Sequence, residues 1–392
     1  MIQTAGKGDA RMKRWIAWVL AVLFVCCSWP ARTEAGSFVV AEDEEEVSPD
    51  LEQQARALMR LMSEEEKIGQ LFFVTLEDLT GVDRSVALTD PAALSRWPVG
   101  GVMIFGQNIV SEEQLRSLTG ALRQSAGRVP LFIGVNEEGG NVSRVANKLG
   151  YPLALSPGEI GERGDEALAR EAGEQIAAYL VPLGINMTFA PSADTVIEKE
   201  NAGVQIYGSD PYLVSRMAAA MAEGLKKAGV APCYTHFPGH GEKTGNILNQ
   251  LPVRRLPEEM RAQEWVPFRD AANAGAEMIL VSHAVVRAVG DDMPASTSSR
   301  VIKGFLRGEL GFEGVVVTDS LRMNAITSVY KKGQESVAAL KAGADILLLP
   351  PDLDAAYRAI RQALNAGEIT MERVEESVIR ILMVKIAMGW FE

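Results

Sequence analysis

Eight short apolar runs punctuate the chain. They are "LFFVT" (71–75), "GVMIF" (101–105), "LFIGV" (131–135), "INMTFA" (185–190), "APCYTH" (231–236), "MILVSH" (278–283), "GVVVTD" (314–319) and "DILLLP" (345–350). Most are continuous rather than alternating, which is how strands covered on both faces read. Between them the apolar positions fall at helical spacing. "SEEEKIGQ" opens with a capping box from Ser63 to Glu66. "SEEQLRSLTGALRQS" starts from Ser111 as a cap, and "DEALAREAGEQIAAYLVPLG" runs into a terminal glycine. Strand–helix alternation over eight units predicts an α/β fold of (β/α)8, TIM-barrel type. No low-complexity break divides residues 51–392, so they read as a single domain.

The N-terminus has a different pattern. Arg11, Lys13 and Arg14 precede an apolar run from Trp15 to Cys27, and Thr33-Glu34-Ala35 offers a cleavage site before Gly36. Residues 1–35 therefore read as a signal peptide, and the protein is expected to be exported to a periplasmic or extracellular location. The run is short for a membrane span of ~20 residues. Cys26 and Cys27 raise a lipoprotein reading, but Phe24 and Val25 are bulky where a lipidation signal wants small residues. Membrane association is thus expected only through the signal or such an anchor. Residues 36–50, "GSFVVAEDEEEVSPD", form an acidic linker without strand or helix period.

Composition narrows the partners. The net charge of −12 becomes −15 without residues 1–35, which carry five basic and two acidic side chains. That excludes nucleic acid as the main partner. Beyond residue 35 only Cys233 remains, so no intramolecular disulfide can form. No spacing of ligands suggests a metal or a cofactor.

In such a barrel the chemistry lies on the loops after the strands' C-terminal ends. "NEEGGNVSR" follows the third run, "PSAD" the fourth and "HFPGHGEK" the fifth, while the sixth ends in His283 and the seventh in Asp319. All three histidines of the chain are in these positions. Caps of the following helices would account for any one of them, but not easily for all.

The motifs "MSEEEKIGQLF", "VGGVMIF", "EEGGNVSRV", "GINMTFAPSAD", "YGSDP", "HFPGHG", "LRGELGFEGVVVTDSLRM" and "AGADILLLP" follow one another from about Leu61 to Gly389. In this the sequence resembles the family-three glycoside hydrolases, specifically their single-domain β-N-acetylhexosaminidase branch. The resemblance implies a retaining mechanism and a carbohydrate ligand of N-acetylglucosamine type, as found in cell-wall or envelope glycans. It places Asp319 on the nucleophile, where a strand-end carboxylate can attack the anomeric carbon. The helix expected to follow would help hold that charge. His236, Arg144 and Met323 fall on sugar contacts, and His240 on a loop-shaping position.

The sequence departs from the family in the loop "YTHFPGHGEKTGNILNQLP". The family's acid/base is a histidine in an Asp-x-His dyad, and here the two positions hold Asn246 and Leu248. The family's lysine becomes Thr235. Its charged sugar contacts become Asn136, Asn141 and Gln205. Each swap removes a charge, and those at 136, 141, 205 and 235 keep an amide or hydroxyl that can hydrogen-bond. Glu242 on the same loop, or Glu138 in "NEEGG", could supply the missing proton if burial raised its pKa. Two functions follow: a hexosaminidase-like hydrolase of weak or altered activity, or a non-catalytic barrel binding a glycan or a protein in the cell envelope.

Overall fold

The computed structural model describes residues 50–196, 205–239, 252–253, 255–290 and 292–391. The expected signal peptide, and all of the acidic linker except Asp50, lie outside them.

Every one of the eight apolar runs contains strand. They are β1 (Phe72–Thr75), β2 (Gly101–Met103), β3 (Phe132–Val135), β4 (Met187–Thr188), β5 (Ala231–Pro232), β6 (Tyr234–Phe237), β7 (Met278–Val281), β8 (Val315–Thr318) and β9 (Leu347–Leu348). β5 and β6 are one stretch of chain interrupted at Cys233. The strands form a parallel six-stranded sheet in the order β9-β1-β2-β3-β4-β5 and a parallel three-stranded sheet in the order β8-β7-β6. Isolated parallel bridges join Ser192 to Thr235 and Val317 to Ile346. The architecture is α/β, with its parallel strands curled as a half-barrel.

Alternate residues of each strand enter two different apolar clusters. Phe73, Phe132, Met278, Leu280, Val315 and Val317 share an inner one, while Phe72, Val74, Ile133, Val135, Ile279 and Val316 pack outward with the helices. Both sets are buried, so the runs carry no polar alternation. Phe73 fills the inner cluster because Gly101 and Gly134 flank it; a Cβ at either would come within 2.7 Å of its ring.

The predicted capping box at Ser63 and Glu66 forms, and Ser111 caps helix Glu112–Ser125. The last helix, Met371–Ala387, sends Ile381 and Val384 into the inner cluster. Its buried Lys385 donates to Gln70 Oε1 (2.7 Å) and to the Gly100 carbonyl (3.0 Å), and lies 4.7 Å from the Phe132 ring centre. Gly100 precedes β2, so this helix closes the end of the strands opposite the candidate site.

One buried carboxylate ties that helix to the strand carrying Asp319. Asp345 accepts from the Val316 amide (2.9 Å), the Ser377 hydroxyl (2.6 Å), Arg307 (2.6 Å) and Arg380 (3.2 Å), with Arg373 at 3.5 Å. Burial alone would raise its pKa, but the three guanidiniums override that and hold it below the usual carboxylate range. Removing it leaves three cations without their shared counter-charge, which is the costly way to break a buried pair. Asp345→Ala should therefore lower the unfolding free energy by about 3–5 kcal/mol in urea titrations. A loss below about 1 kcal/mol would show that the guanidiniums find other partners.

Candidate functional site

The site is built where β3, β4, β6, β7 and β8 end. After β3 the chain passes Asn136, makes a hairpin of Glu137–Gly139 with Val142–Ser143, and enters helix Arg144–Leu149. Gly139 and Gly140 form the turn at φ +90° and +54°, a region that favours glycine. A Cβ on Gly139 would also lie 2.4 Å from the Leu155 carbonyl oxygen.

The two glutamates of this hairpin do different work. Glu137 is fully buried; it accepts from the Val145 amide (2.8 Å), the Ala146 amide (3.0 Å) and the Tyr179 hydroxyl (2.7 Å). It caps the short helix and fixes Glu138 on one side and Arg144 on the other. Glu138 is half-buried, and its carboxyl is pushed up to about 7. Burial is the main cause; Asp194 adds to it, and His236 and Arg144 oppose it.

Asp194 follows β4, and His236 belongs to β6. They meet: Asp194 Oδ2 lies 2.8 Å from His236 Nδ1, with Asp194 almost wholly buried. Burial alone would lower the imidazole pKa. The carboxylates of Asp194, Asp319 and Glu138 outweigh it and lift His236 to about 9. Imidazolium is therefore the resting form at neutral pH.

Asp319 follows β8. Its amide donates to the Val281 carbonyl (2.8 Å), and its own Oδ1 accepts from the Ser320 amide (2.6 Å). Here the structure corrects one expectation. No helix starts at Asp319; a turn intervenes, and the short helix Asn324–Thr327 begins after Met323. The carboxylate is held by one turn amide and not by a helix N-terminus. His283, at the end of β7, accepts from the Ser296 hydroxyl at Nδ1 (2.7 Å) and donates from Nε2 to the Ser320 carbonyl (2.8 Å). Burial pushes its pKa down, so it is a neutral strut under the Asp319–Ser320 turn.

The other expected positions are distributed as follows. Asn136, Gln205 and Met323 are half-buried, Arg144 is exposed, and Thr235 is buried beside His236. Both side-chain polar atoms of Gln205 and the hydroxyl of Thr235 are buried without a hydrogen-bond partner. Such groups are costly unless something pairs with them. Arg144 reaches the cluster through its charge on Glu138, and the Met323 amide donates to the Ser320 carbonyl (3.0 Å) in the turn after Asp319. Glu242, Asn246 and Leu248 lie outside the described residues. Sequence reasoning missed Asp194 as a site residue, although "PSAD" stood at a strand end. It also missed Glu137 and Tyr207, whose buried hydroxyl donates to Met221 Sδ (3.0 Å). Among the described residues no group of three His, Cys, Asp or Glu side chains could hold a metal ion.

The raised Glu138 pKa has a consequence for stability. An acid whose folded pKa lies above its ordinary 4.5 favours the folded state fully below that value and loses the benefit as pH rises through about 7. Native protein should lose about 1–3 kcal/mol of stability from this source between acid and neutral pH, and Glu138→Gln should remove that slope. Denaturant midpoints at several pH values measure it. An unchanged slope in the variant would place the titration elsewhere.

Residues 63–384 match the model of the glycosyl hydrolase family 3 N terminal domain. Beta-hexosaminidase LpqI of Mycobacterium tuberculosis is 31% identical over 337 residues, which cover 83% of each chain. Beta-hexosaminidase A of Pseudoalteromonas piscicida is 29% identical over 74% of this chain, and the match spans only 54% of that longer protein. The solved glycoside hydrolase family 3 beta-N-acetylglucosaminidase from Paenibacillus sp. FPU-7 superposes with a TM-score of 0.77 at 36% identity, over 84% of this chain and 63% of that one. On the extent of these matches, the chain belongs to glycosyl hydrolase family 3.

Proposed function

We propose that the protein is a retaining glycosidase for glycans containing N-acetylglucosamine, with Asp319 as the nucleophile. The observation that carries this reading is the convergence of charge: Glu138, Asp194, His236 and Asp319 come from four strand ends, the three carboxyl groups act on His236, and Asp194 and His236 act on Glu138. Fold-level kinship alone would not suffice, since function resides in the site. In this reading the cluster lies at the mouth of a closed (β/α)8 barrel. The sharing of one chain stretch by β5 and β6, together with the bridges at Ser192–Thr235 and Val317–Ile346, supports that closure. Residues 51–392 form this domain, and the segment before it exports the protein, so N-terminal sequencing of secreted protein should begin near Gly36.

Asp319 attacks the anomeric carbon while the glycosidic oxygen departs, and water then releases the sugar from the ester. Asn136, Arg144, Gln205, Thr235, His236 and Met323 surround the sugar. The unpaired polar atoms of Gln205 and Thr235 suit neutral hydroxyl or amide groups on a ligand. Without the family's histidine at Leu248, proton delivery is slowed, and natural linkages suffer more than activated ones. A second reading, glycan binding without hydrolysis, draws on those same unpaired atoms and on the lost charges.

Turnover of an aryl N-acetylglucosaminide beside an unactivated N-acetylglucosamine disaccharide separates the two readings. Activity is expected on the aryl substrate, with the disaccharide slower by more than its intrinsic reactivity explains. Asp319→Asn should abolish both activities and retain sugar binding. Measurable sugar binding with no turnover of either substrate would favour the binding protein.

A further inference from the structure

We infer that Asp194 and His236 form the proton-transfer pair of this site, in place of the dyad that Asn246 and Leu248 have replaced. The inference rests on the hydrolase reading above. A retaining glycosidase needs a group that first gives a proton to the leaving oxygen and then takes one from water. Among the described residues, few titratable groups at the strand ends can serve in that role. Glu137 spends its carboxylate on two helix amides and a tyrosine hydroxyl. His283 has both ring nitrogens engaged and is driven neutral by burial. Asp319 is the nucleophile. Glu138 and the Asp194–His236 pair remain.

Position separates these two. In retaining enzymes the two catalytic groups face each other across one glycosidic bond, with carboxyl groups about 5–5.5 Å apart. The donor must therefore feel the nucleophile's charge. Asp319 acts on His236, whereas the charges acting on Glu138 come from His236, Asp194 and Arg144. The sheet explains the difference. Phe237 pairs with Val281, and Val281 pairs with Thr318. His236 lies one residue before that shared level and Asp319 one residue beyond it, two strands apart, with about 10 Å between the strands for side chains and a sugar to share. Glu138 stands on the hairpin after β3, in the other sheet.

Asp194 supplies what an acid/base histidine requires. Its carboxylate accepts the Nδ1 proton at 2.8 Å, which fixes the ring's orientation and makes the Nε2 proton the transferable one. In the first step the Asp319 oxygen bonds to the anomeric carbon, the glycosidic C–O bond breaks, and the imidazolium proton passes to the departing oxygen. In the second step water attacks the anomeric carbon, the ester to Asp319 breaks, and the neutral imidazole takes the water proton. Both carboxylate and imidazolium are then restored. Among the described residues, the charged groups facing His236 are Asp194, Asp319 and Glu138, and Arg144 and Tyr207 interact with Glu138.

The test uses the full-length protein. For the unactivated disaccharide, kcat/KM should fall on an alkaline limb near about 9, where His236 loses its proton. Asp194→Asn, which keeps the side-chain shape, should move that limb toward the ordinary histidine value. It should cost ~10²-fold or more on the disaccharide and far less on a good aryl leaving group. In His236→Gly, added azide should restore turnover of the aryl substrate by attacking the glycosyl-enzyme without base assistance, yielding a glycosyl azide. The imidazole resonance of His236, one of three in the chain, should titrate lower in Asp194→Asn whether or not substrate turns over. If Asp194→Asn costs the same on every leaving group, or the alkaline limb stays in place, the pair is not the donor and the hydrolase reading survives. A limb near 7 that disappears in Glu138→Gln would transfer the role to Glu138. No turnover of either substrate by the native protein would overturn both readings.

Discussion

Burial of the parallel strands on both faces is the constraint from which the site follows. A strand covered inside and outside can carry no ionised group along its length without a partner. Phe73, Val74, Ile133, Leu280 and Val316 occupy such positions, and the chain's polar chemistry is pushed to where each strand stops. Because the strands run parallel, those stopping points lie on one side. Crowding of acids and bases there is a product of topology before it is a product of selection for catalysis.

Crowding then sets the protonation states. Four groups close to one another cannot all take their solution charges. His236 remains an imidazolium because three carboxylates outweigh its burial. Glu138, next to another acid and out of water, keeps its proton to about neutral pH. The guanidiniums that surround Asp345 show the opposite balance at the far end of the chain, where cations are in excess and the carboxylate stays ionised. For His236 and for Asp345 the minority charge is the stabilised one.

The fold was legible because its signals are local. Continuous apolar runs, the capping boxes and the serine caps depend on neighbours in sequence, and every run became strand. Distance in sequence is what concealed the rest. "NEEGG" contains two glutamates that are alike as text; only the amides of Val145 and Ala146 and the hydroxyl of Tyr179 make Glu137 the cap and leave Glu138 as the perturbed acid. His283 sits at a strand end as His236 does, yet Ser296 and the Ser320 carbonyl turn it into a strut. Asp194 gains its role from a partner 42 residues away on another strand. Its text, "PSAD", carries no trace of that pairing.

The geometry also bears on how a glycosidase can survive losing its acid/base loop. In the proposed reading Leu248 takes the place of the proton carrier, and the electrostatic reason for a protonated base near Asp319 remains. An imidazole among carboxylates is held charged by any arrangement that keeps the carboxylates in place, and Asp194 is placed by the end of β4 while Asp319 is placed by β8. Both residues follow parallel strands. A carboxylate held by its turn and a histidine kept charged by its neighbours are therefore retained together for as long as the strands are. Loss of the charged cluster would require loss of the strands that place it.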